Sequence, residues 1–179
     1  MLMRAASILG ALALLTATPA QAEVAAFTAA LSGHAAPTDT GSEATGKAKI
    51  FVDTDAKTVD ITLDVEGLKM DQLWGALAHA KMGPIHLHRY GGHDHSDPGA
   101  SALVFPLPMG ANYVATPKGF HVEIKHASYA EAATMLNSNL PFADFMTSMQ
   151  SGQIVLNVHT NAFHDGEISG EVDPVNPPA

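Results

Sequence analysis

Two runs of strict alternation, joined by a short polar loop, constrain this chain more than anything else in it. Val59, Ile61, Leu63 and Val65 take every second position, with Asp60, Thr62 and Asp64 between them. Lys47 to Asp53 alternates in the same way around Ala48, Ile50 and Val52. A period of two puts the apolar side chains on one face of a strand and the polar ones on the other. Asp53-Thr54-Asp55-Ala56-Lys57 between the runs reads as a hairpin loop. Further strands are expected around Phe27, Ala29 and Leu31, from Ile85 to Arg89, from Ala102 to Leu107, around Phe120, Val122 and Ile124, around Ile154, Leu156 and Val158, and through Ile168 and Val172. Leu73 to His79 is also read as a strand, although its Leu, Ala and Trp suit a helix too. Helix is expected only between Ser128 and Gln150, where Ser128 and Glu131 form a capping box and Pro141 restarts the chain. Many short strands and one helical stretch predict an all-β fold, an antiparallel β-sandwich with a short helical insertion before the last hairpin.

Residues 1–22 have the order of a secretory signal peptide: Arg4, an uncharged run from Ala5 to Leu15, then Ala20-Gln21-Ala22 before the cleavage point. The apolar run is shorter than the ~20 residues a membrane span needs. The expected organisation is a signal peptide over 1–22, one domain over 23–173, and a flexible tail over 174–179. The expected location is the periplasm or the medium. The net charge of −9 becomes one unit more negative when Arg4 is removed. An anionic chain repels phosphate backbones, so nucleic acid is not an expected partner. With no cysteine, thiol chemistry, thiolate metal sites and disulfides are all excluded.

Ten histidines remain to be explained. In Gly83-Pro84-Ile85-His86-Leu87-His88, the strand period puts His86 and His88 on one face and Ile85 and Leu87 on the other. The apolar pair can enter the core while both imidazoles meet one ion, and imidazole suits copper and zinc. His159, in Asn157-Val158-His159-Thr160, faces away from Ile154, Leu156 and Val158 in the same sense. If the two strands are neighbours, three ligands converge. His93 and His95, in the loop Tyr90 to Gly99, offer a fourth ligand or a separate second site. A histidine hydrogen-bonded into a sheet edge, or one solvated in a loop, fits the same spacing. His34, His79, His121, His126 and His164 are read as structural or solvent-facing. Each ligand must be neutral to coordinate, so binding is expected to weaken as pH falls through about 6.5. Asp165 and Glu167 flank Gly166 in a tight turn, the alternative being a carboxylate that orients a metal-binding imidazole. Met135, Met146 and Met149 read as packing. No Gly-x-Ser-x-Gly elbow, P-loop or dinucleotide fingerprint is present, and the aspartates lack the glycine and glutamate of a calcium loop.

Five motifs in order resemble those of the CHRD (chordin-type) domain family. They are Phe27-Thr28-Ala29-Ala30-Leu31-Ser32-Gly33, Ala44-Thr45-Gly46-Lys47-Ala48, His86-Leu87-His88, Asn157-Val158-His159-Thr160 and Gly166-Glu167-Ile168-Ser169-Gly170. The histidine-rich loop and the long helical stretch depart from the family pattern. The resemblance implies a secreted immunoglobulin-like β-sandwich. Gly83 to Gly91 is also similar to the copper-ligand strand of copper/zinc superoxide dismutases, and Val158-His159 to that family's last copper ligand. That likeness implies copper ligands at His86, His88 and His159, with His93 or His95 in the place of the bridging or zinc histidines. The dismutase disulfide has no counterpart here, and Arg89, the only arginine after Arg4, is aimed by strand alternation away from the His86 face. The leading expectation is a non-catalytic module for a divalent copper or zinc ion. The alternatives are a copper-dependent superoxide dismutase-like enzyme and a metal-free structural or adhesion module.

Overall fold

The computed structural model describes residues 23–35, 37 and 39–175; the signal peptide expected over 1–22 lies outside the described residues. Nine strands form one antiparallel sheet: β1 (Val24–Ser32), β2 (Thr45–Asp53), β3 (Thr58–Glu66), β4 (Ile85–Arg89), β5 (Ala102–Leu107), β6 (Tyr113–Ala115), β7 (Gly119–Ser128), β8 (Ile154–Val158) and β9 (Ile168–Pro174). Their order across the sheet is β5-β4-β8-β9-β1-β2-β3-β7-β6. The sheet curls so that inward side chains from both halves enter one core. This is the all-β, sandwich-like architecture that the alternation predicts.

The strand period is visible directly in the burial. Ile50, Val52, Val59, Ile61 and Leu63 are fully buried, while Lys47, Lys49, Phe51 and Asp64 stand on the outer face. A four-residue helical turn, α1 (Gly75–Ala78), precedes β4; two helices follow β7, α2 (Tyr129–Met135) and α3 (Phe142–Gln150), and both precede the β8–β9 hairpin. Ser128 caps α2 by accepting from the Glu131 amide. Tyr129 and Phe105 both pack on Phe145 of α3, with ring centroids 4.8 and 6.4 Å from it, so the helical insertion joins the core.

The strand expected from Leu73 to His79 is not formed. Leu73 makes a single bridge to Thr160, and Gly75–Ala78 then turns as a short helix. Only Leu73 of this stretch is fully buried, so no alternating face holds it extended. Asn161 Oδ1 accepts from the Gly75 amide at 3.0 Å and anchors the helical turn instead. Short β6 was not legible in the sequence. The last strand includes Pro174, where the flexible tail was expected to begin, because the Val175 amide bonds the Ala26 carbonyl at 2.9 Å.

Candidate metal centre

β4 lies between β5 and β8, and its register with β8 sets the site. His86 pairs with Asn157 and Ile85 with Val158, so His159 falls one step beyond the end of the ladder, diagonal to His86. Ile85, Leu87, Leu156 and Val158 fill the core side, and the imidazoles take the outer side. That side is closed over: His86 is 3% and His159 5% exposed, and His88 is partly buried. Two segments adjoin it: the 72–84 segment, tied by the Trp74 amide to the His159 carbonyl, and the 160–167 loop, whose His164 stacks on Trp74 at 4.0 Å. A register shift between Leu87 and His88 marks a bulge against β5, the kind of irregularity that re-aims a side chain beside a site.

One ligand atom from each of His86, His88 and His159 lies within 4.8 Å of the others. The ring centroids are 4.9 Å apart for His86 and His159, and 5.6 Å for each of the other pairs. The second nitrogen of each ring faces an oxygen acceptor. His86 Nε2 donates to the Gly83 carbonyl at 2.7 Å, and His159 Nδ1 donates to the His164 carbonyl at 2.7 Å. The Ser101 hydroxyl spends its proton on the Pro98 carbonyl, so it accepts from His88 Nδ1 at 3.2 Å. A carbonyl cannot donate, so these partners fix the tautomers. The lone pairs are left on His86 Nδ1, His88 Nε2 and His159 Nε2. The last two are buried with no hydrogen-bond partner in the protein. Buried imidazole nitrogens without a proton or a partner suit a Lewis-acidic ion, and the donor set suits copper or zinc.

Desolvation keeps the triad neutral. It is the largest influence on each ring, followed for His86 by the neighbouring His159 and His88, and for His88 by His159. His86 is lowered to about 3 and His88 to about 4. His159 is lowered as well, chiefly by burial, against an opposing pull from the His164 carbonyl.

The two other candidate ligands, His93 and His95, do not fall within this group of three. His93 is exposed, and His95 is buried against the Tyr90 ring at 4.9 Å. His121 faces outward and donates from Nδ1 to Asp64 at 2.7 Å. Arg89 turns to α3, where its Nε donates to Ser148 Oγ at 2.7 Å. Glu167 orients no imidazole; its carboxylate accepts from Thr160 at 2.6 Å and from Ser42 at 2.8 Å and pins two loops together. Sequence reasoning missed Gly83, Ser101 and His164 as orienting partners. Two of them act through backbone carbonyls, which carry no residue-type signal.

Among the described residues no helix is long and apolar enough to cross a membrane. The family model of the CHRD domain matches residues 27–172, a span that contains all five sequence motifs. No curated protein and no solved structure matches the chain.

Proposed function

The chain belongs to the CHRD domain family, and from that premise we propose that it is an exported, non-catalytic module that holds one divalent copper or zinc ion through His86, His88 and His159. One observation carries the reading: three imidazoles, two fully buried and one partly so, on β4 and just past the end of β8, have one nitrogen each tied to an acceptor and the other lone pair left free. The order of residues 1–22, a basic start, an apolar run and a small-residue end, supports export.

Superoxide turnover draws no comparable support. An anionic substrate needs a guiding positive field, and this chain is acidic, with Arg89 engaged by Ser148.

The test is denaturant unfolding of wild type and His159→Ala, each with and without copper or zinc, beside metal analysis of tag-free protein from its native compartment. A shared ion links β4 to β8 and stabilises the native state by roughly 2.7 kcal/mol at a hundredfold excess over Kd. His159→Ala should remove most of that increment, and the metal-free variant should lose about 1 kcal/mol with the His164 bond. An equal metal increment in both proteins would sink the shared site. No stoichiometric metal and no metal-dependent shift would leave a structural module.

A further inference from the structure

His95 is a buried histidine in a loop that is otherwise mostly exposed. Its side chain is 5% exposed, and its neighbours His93, Asp94 and Ser96 all face solvent. Its Nε2 is buried without a hydrogen-bond partner, and its Nδ1 stands 3.8 Å from Glu171 Oε2. That distance is too long for a hydrogen bond. The nitrogen that faces the carboxylate is thus held close to it without a direct bond between the two.

Glu171 lies on the outer face of β9, opposite Val155 of β8. Its other oxygen, Oε1, occupies the space where a β-carbon of residue 152 would sit. The same point is 3.6 Å from His93 Nδ1. Gly152, with φ +66°, therefore keeps open a gap between the carboxylate and the second loop histidine. One carboxylate thus has an imidazole near each of its oxygens, His95 on one side and His93 on the other.

We infer that His95, Glu171 and His93 form a second divalent-cation site, separate from the triad, on the outer face of β9 beneath the 90–99 loop. Two imidazoles and a carboxylate suit a borderline cation such as zinc. The three groups are more widely spaced than the triad, and exposed His93 is the one free to swing inward and complete the set. In this arrangement Nδ1 of His95 is the ligand, and the ion fastens the loop to the sheet.

Equilibrium dialysis of tag-free protein against zinc, with bound metal counted, tests the site. Wild type should hold two equivalents. Glu171→Gln, at a side chain 42% exposed, should weaken one of them at least tenfold and leave the other. His95→Ala should do the same, whereas the pair His86→Ala/His88→Ala should remove the other equivalent and spare the one that depends on Glu171. A single equivalent in wild type, abolished by the triad pair and unchanged by Glu171→Gln, would overturn the second site. So would a single ion weakened by both sets of variants, since His95 would then belong to the triad's ion. A Glu171-dependent equivalent without a triad-dependent one would uphold this site and reject the first.

Discussion

At the scale of single residues, the unusual feature of the triad is how much of it is decided by atoms that are not ligands. The Ser101 hydroxyl is committed as donor to Pro98, which leaves it only an acceptor's role toward His88. Partners of this kind are worth about 10–100-fold in metal affinity, because they fix ring orientation and raise basicity. Ser101→Ala should therefore weaken binding of copper or zinc about tenfold, with stability in the absence of metal changed by less than about 1 kcal/mol. Calorimetric titration decides it, and an unchanged affinity would show that His88 is oriented by packing alone. Much of the triad was legible beforehand. His86, His88 and His159 each follow from strand alternation, which says which face a side chain takes. Alternation says nothing about a loop, so burial of His95 beside exposed His93 had no visible cause in the sequence. Nor does a residue letter disclose which carbonyl will meet an imidazole.

At the scale of elements, Gly83 is where the strand and the tautomer meet. Its φ of +73° is a left-handed conformation that side chains disfavour, and a β-carbon there would collide with the Leu107 carbonyl of β5. Gly83→Ala is expected to cost on the order of 2–4 kcal/mol of stability, measured by denaturant unfolding. A cost below about 1 kcal/mol would mean that the chain entering β4 adjusts freely. The β2–β3 hairpin was fully readable because each strand keeps one face wet, so burial and polarity alternate together. Leu73 to His79 was misread for the converse reason: one fully buried residue followed by Trp74 and Gly75-Ala76-Leu77-Ala78 carries no period of two in its burial, and Asn161, far along the chain, selects the helical turn. The three-residue β6 is too short to show a pattern at all.

At the scale of the whole molecule, the buried triad makes stability depend on pH. The unfolded chain protonates its histidines near 6.5, whereas folded His86 and His88 resist protonation down to about 3 and about 4. Below pH 6.5 the unfolded state therefore binds more protons. The stability present above 6.5 is lost as pH falls towards 4, by roughly 1.4 kcal/mol per pH unit for each such histidine. Together the two histidines remove roughly 4 kcal/mol by pH 5 and about 6 kcal/mol by pH 4, so a domain at the low end of the ordinary range, about 5–15 kcal/mol, should come near unfolding there without metal. This also moves the expected pH limit on metal binding. In the folded protein the ligands stay neutral well below 6.5, so binding should persist until the fold itself gives way. Denaturant midpoints at pH 7.5, 6 and 5 for wild type and His86→Gln/His88→Gln provide the check. The variant should show a much shallower decline, and parallel declines would assign the acid sensitivity to other groups.

The two ends of the sheet have a bearing on how such a chain avoids association, since it has no disulfide to hold it. An open sheet usually offers its outermost strands as templates for other molecules. Here one margin is β5, interrupted by Pro106, irregular beside Leu87 and packed against α2. The other is β6, only three residues long, and the stretch of β7 that runs on past it is kinked at His126, with φ +51°. Neither margin offers a long regular row of free amides and carbonyls. A neighbouring copy would find little to pair with, and this protection against strand-by-strand aggregation is written into the backbone rather than supplied by covalent links.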